Sequence, residues 1–102
     1  MASGVNQVHL SGALIERGEL RMTPAGVAVL DAQLHHEAQV VEAGIARTLD
    51  FAIDAVALGA AAQRLAKEAL GSNLHLRGFL APRARGGKRL KLHVVEFSRA
   101  GE

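Results

Sequence analysis

Six of the twelve Lys and Arg residues fall within fifteen positions, at Arg77, Arg83, Arg85, Lys88, Arg89 and Lys91. Pro82 and the pair Gly86-Gly87 stand among them, residues that turn a chain and do not extend an element. Cations held at the end of a hairpin have one obvious use, to hold something anionic, and clustered Arg and Lys suit phosphate. Residues 1–76 carry five Lys/Arg against eight Asp/Glu, while residues 77–102 carry seven against two. The net charge of +2 therefore conceals an acidic front and a basic end. A solvated hairpin tip is the plain alternative, and the clustering favours a local phosphate patch over it. Four loop cations on one nucleic-acid strand give a log–log salt slope of about −3.

Other chemistries find less support. His9, His35, His75 and His93 fall on outward strand faces and His36 inward. A zinc site needs three or four ligands converging on a point. Here each His has its own strand except the adjacent pair, whose side chains oppose, so no metal is expected. Asp50 and Asp54 share a strand face, but residues four apart on a strand are about 13 Å apart, too far to share a proton. Ser3, Ser11, Ser72, Ser98, Thr23 and Thr48 stand in no nucleophile elbow. Arg85-Gly86-Gly87-Lys88 lacks the spaced Gly-Lys-Ser/Thr of a P-loop. No enzyme and no cofactor are expected. Of the three aromatic residues, Phe51 fits the inward face and reads as core. Phe79 alternates outward with His75 and Arg77 and either stacks a base or lies in a subunit interface. Phe97 stands where the last strand's alternation breaks down.

The elements that must position these groups follow from periodicity. Val8, Leu10, Gly12 and Leu14 alternate with His9, Ser11 and Ala13, a first strand in which Gly12 allows a bend or bulge. Pro24 followed by Gly26 predicts a type II turn. A second strand over Val27–Glu37 puts Leu30, Ala32, Leu34 and His36 inward. Residues 38–46 read as a hairpin loop of unset length, and Arg47–Ala57 as a third strand with Leu49, Phe51, Ile53 and Ala55 inward. The Ala-rich run Leu58–Leu70 predicts a helix closed by Gly71. Two more strands, around Leu74–Leu80 and Leu90–Val95, flank the basic loop. The chain is thus expected to be all-β with one short helix between strands three and four, a five-stranded OB barrel; a mixed α+β sandwich stays open.

At 102 residues the chain is expected to form a single OB-fold domain with flexible ends at 1–5 and 98–102. It has no cysteine, which excludes disulfides and thiolate metal sites. It shows neither an 18-residue apolar run nor a basic-then-apolar leader. A reducing compartment such as the cytoplasm fits these features.

The segments Asn6-x-Val8-x-Leu10-Ser11-Gly12, Thr23-Pro24-Ala25-Gly26-Val27, Val56-Ala57-Leu58-Gly59 and Gly71-Ser72-x-Leu74-x-Leu76-x-Gly78-Phe79-Leu80 resemble, in order along the chain, the bacterial single-stranded-DNA-binding protein superfamily. The similarity is to its short branch that serves the replication-restart primosome. The resemblance implies an OB-fold homodimer that binds single-stranded DNA and contacts and stimulates the restart helicase PriA. It places cationic contacts at Arg21, at Arg47 and at Arg83, Arg85, Lys88 and Arg89, to which the outward Arg77 and Phe79 are added. It gives the first strand, Val8, His9 and Leu10, an interface role. Members of the family that bind DNA well carry an aromatic residue near the hairpin of strands two and three, where this chain has Ile45 and an outward Asp50. Glu37, Glu42, Asp50 and Asp54 make that hairpin acidic, which repels phosphate. Weak DNA binding displaced toward the basic loop is therefore expected. The long tail with an acidic tip that ends the coating proteins is not found after the last strand, so an accessory factor is expected. A protein–protein adaptor on the same fold, whose basic loop meets an acidic partner, is the alternative.

Overall fold

The computed structural model describes residues 3–101; of the ends expected to be flexible, 1–5 and 98–102, residues 1, 2 and 102 lie outside them, while Ser98 and Arg99 belong to the last strand. The elements are β1 (Val8–Arg17), β2 (Arg21–Met22), β3 (Ala28–Glu42), β4 (Ile45–Leu58), α1 (Ala60–Leu65), β5 (Asn73–Pro82) and β6 (Leu90–Arg99). The sheet runs β1-β5-β6-β4-β3-β2 and closes through a further β1–β3 pairing. All neighbours are antiparallel except β4 and β6, which pair in parallel over Ala55–Ala57 and Leu92–Val94. This is a five-stranded OB barrel, with β2 a two-residue addition beside β3. Because β2 takes a number, the helix falls between β4 and β5, not between third and fourth strands as counted from the sequence.

Alternation explains the core. Leu30, Ala32, Leu34 and His36 of β3 face inward with Leu14, Leu74, Leu76, Leu92 and Val94 of the other strands. Strand β1 serves two neighbours: Val8–Ala13 pair with β5 and Ala13–Arg17 with β3. The bulge that permits this lies between Leu14 and Glu16, not at Gly12. Gly12 meets a different constraint, since a Cβ there would stand 3.2 Å from the His35 carbonyl oxygen, a tight contact. Just past the end of the β1–β3 ladder, the His36 Nδ1–H donates to the Ser11 carbonyl at 2.6 Å. The buried imidazole thus carries the closure one step further.

Three local readings are corrected by the backbone. The 38–46 stretch is not a loop: β3 and β4 stay paired for fourteen residue pairs to Glu42↔Ile45, and only Ala43 and Gly44 turn, both at positive φ. That is the type I′ geometry whose twist matches a hairpin. Phe51, read as core, is 40% exposed because this arm outruns the barrel; its ring lies 5.0 Å from that of His36. In the Thr23–Gly26 turn the Gly26 N–H donates to the Thr23 carbonyl and Gly26 itself holds φ +83. The positive φ sits at the fourth position, a type I turn followed by a bulge-forming glycine, not type II.

The helix spans only six residues, against the thirteen expected. Beyond it Lys67 and Glu68 take tighter i→i−3 bonds to Arg64 and Leu65. Glu68 turns into the structure, where its carboxylate accepts from Arg99 at 3.1 Å and its carbonyl from Arg17. Tertiary pairing overrides the helix propensity of Ala and Leu here. Arg64 holds the helix to β6, its guanidinium 4.6 Å from the Phe97 ring centroid and donating to the Phe97 carbonyl.

Candidate nucleic-acid interface

Loop 83–89 joins the ends of β5 and β6 and is shaped by two backbone bonds. The Arg83 N–H donates to the Arg89 carbonyl and the Gly87 N–H to the Ala84 carbonyl, each at 2.8 Å. Gly86 holds φ +71 at the third position of the inner turn, which makes it type II with Arg85 at its corner. Arg85, Lys88 and Arg89 are exposed, and none of the three has an ion pair among the described residues. Three cations without an ion pair among the described residues concentrate positive charge on one loop.

The other expected contacts are partnered. Arg21 pairs with Asp31 and Arg47 with Glu42. Arg77 reaches Glu96 at 3.5 Å, and Arg83 reaches Asp54 at 3.2 Å. These pairs are exposed and each contributes about 0–1 kcal/mol, so an incoming phosphate competes with the carboxylate at little cost. Arg83 and Asp54 also line a groove of about 490 Å³ with Asp31, Gln33 and Lys91, where cations and carboxylates are mixed. The loop cations are brought together; Arg21 and Arg47 stand on other elements, β2 and the arm.

The acidic arm has an internal order the sequence did not reveal. Glu37 and Asp50 are directly opposed across β3 and β4, an unfavourable like-charge pair. His35 mediates between them, Nε2 at 2.6 Å from Asp50 and Nδ1 at 3.9 Å from Glu37. One histidine and two carboxylates therefore gather their ligand-type atoms within 4.8 Å on the outer face.

Phe79 does face outward, 38% exposed. It is directly opposite His93, and the rings stack with centroids 4.8 Å apart and planes 15° apart. Burial, then the neighbouring Lys91 ammonium, pushes the His93 pKa below its ordinary value. Alternation alone places His93 among the outward histidines and does not single it out. The signal that finds it is symmetry: Phe79 and His93 each stand seven residues from Gly86, the centre of the hairpin register.

A closed barrel with its helix at one end, a protruding hairpin and a cationic loop between the last two strands defines an OB-fold binding protein. A family model described as another single-strand binding protein family matches residues 6–96. The replication restart protein PriB of Bordetella pertussis is 42% identical over 95 residues, which are 93% of this chain and 89% of that one. PriB of Nitrosomonas europaea is 36% identical over 89 residues, 87% and 82% of the two chains. The solved structure of PriB from Ralstonia solanacearum has a TM-score of 0.87 at 35% identity, covering 95% of this chain and 99% of that one. The single-stranded DNA binding protein of Thermus aquaticus gives 0.73 at 26% identity, covering 96% of this chain and 51% of that one. The chain belongs to the single-strand binding protein family, in the group that holds the replication restart proteins PriB.

Proposed function

We propose that this protein is a single-stranded-DNA-binding accessory factor of bacterial replication restart, working in the cytoplasm without catalysis of its own. The observation that carries the reading is the loop-bound set Arg85, Lys88 and Arg89, cations with no ion pair among the described residues. Arg83 joins them when a phosphate displaces Asp54, and Arg77 and Phe79 extend the contact along β5; Arg21 and Arg47 add outlying charge. Names of relatives support the setting, since those proteins are called replication restart proteins. Contact with a PriA-type helicase, and its stimulation, rest on the family resemblance.

The protein acts as a homodimer. From Val8 to Leu10, β1 has β5 on one edge and no strand on the other among the described residues. An open edge is a template for another strand, and the same edge of a second copy fits it, with His9 exposed beside it.

A second reading, an adaptor that meets an acidic protein, is favoured by one observation: four of the expected DNA cations are already neutralised by Asp31, Glu42, Glu96 and Asp54. Charge reversal separates the two. Arg85→Glu with Lys88→Glu is expected to abolish oligonucleotide binding in a fluorescence-anisotropy titration. Equal binding by wild type and double variant would remove the loop from the DNA site.

A further inference from the structure

Outward-facing pairs on β5 and β6 form layers that start at the loop. Ala81 and Lys91 make the first, and Phe79 and His93 the next, about 7 Å further along the sheet. Lys91 has no ion pair among the described residues. By register a cation therefore stands between the loop and an aromatic pair, at the groove that Arg83, Asp31 and Asp54 also line. Phe79 is also the wall between two grooves. One, of about 550 Å³, has His9, Arg77 and Glu96; the other, of about 260 Å³, has Val56, Leu58 and His93. Leu58 and Val95 beside it are at least half exposed, so apolar surface adjoins the rings on that side.

We propose that the stacked Phe79–His93 pair is a nucleobase platform, with Lys91 holding the adjoining phosphate, so that the DNA track continues from the loop tip onto the outer face of β5 and β6. The proposal rests on the DNA-binding reading above and adds to it a place for a base. Charge and continuity select the occupant. The platform is reached through cations, and a base needs only a π face, which makes the contact independent of sequence. Each ring covers one face of the other, and Phe79 lines the larger groove beside His9 and Arg77, where a base can reach it. Stacking one base is worth enough for about a tenfold change in affinity.

The test compares a labelled oligo-dT with a sugar-phosphate oligomer of equal length that lacks bases. Wild type is expected to bind oligo-dT about tenfold more tightly. Phe79→Leu, which keeps apolar volume but removes the ring, is expected to erase that difference while leaving the salt slope unchanged; His93→Gln is expected to reduce it. Equal wild-type affinity for the two oligomers overturns the platform alone, as does a Phe79→Leu variant that binds oligo-dT like wild type, and this face then passes to a protein partner. No wild-type binding to either oligomer overturns the platform together with the DNA-binding reading.

Discussion

Gly78 stands where β5 passes the irregular point of β6, and a Cβ there would lie 1.7 Å from the His93 carbonyl oxygen. Its φ is unremarkable; the need is for space. The register shift between Arg77 and Gly78 places one extra residue in β6, between Val94 and Glu96, and so returns Phe97 to the core at 6% exposure. That is why alternation fails at the end of the last strand, and single-strand periodicity cannot announce it. Gly78→Ala is expected to destabilise the fold by about 2–3 kcal/mol, read from the urea midpoint; a change within error would contradict the close approach. His93 supplies a pH dependence. Its folded pKa lies below the ordinary 6.5 through burial and Lys91, so the unfolded chain takes up the proton first as pH falls. Stability is then lost as pH drops through about 6.5 toward the folded pKa, and the loss levels off below it. His93→Gln is expected to flatten that part of the melting-temperature profile, and an unaltered profile would count against the assignment.

Among the elements, the β3–β4 arm shows what local rules can set. Type I′ turns prefer Asn-Gly, and here Ala43 occupies a left-handed position at φ 53, a conformation that costs an L-residue about 1–2 kcal/mol. Ala43→Asn is expected to raise stability by about 0.5–1 kcal/mol in thermal melts; a lower melting temperature would refute the turn assignment. The inward residues Leu30, Leu34 and His36 were legible because alternation of side chains is a local property of a strand. The arm's length was not, because polar and apolar residues mix where neither face is covered, and Phe51 looks like core until the barrel's end is known. The helix was overextended for a related reason. Ala-rich sequence favours continuing it, while Glu68, buried against Arg99 and Arg17, is held by residues distant in sequence. The cationic loop was legible from composition, but its neutralised member was not, since Asp54 lies on another strand.

At the scale of the whole molecule, the fold sorts charge by place. Exposed carboxylates pair with Arg47 at the arm's tip and with Arg83 beside the loop, while Arg85, Lys88 and Arg89 have no ion pair among the described residues. A small electrostatic site of that kind predicts weak binding that is strongly sensitive to salt. The open β1 edge predicts a concentration-dependent dimer in sedimentation equilibrium; Leu10→Pro, which cannot extend a ladder, is expected to shift it toward monomer, and a monomeric wild type at high concentration would remove the edge from any interface. The central claim is tested most directly by fluorescence anisotropy of labelled oligo-dT with the wild-type protein at several salt concentrations. Three free loop cations predict saturable binding with a log–log slope of about −2, approaching −3 if Arg83 leaves Asp54 for phosphate. Absence of binding at the lowest salt, or affinity indifferent to salt, would contradict the loop as a DNA site.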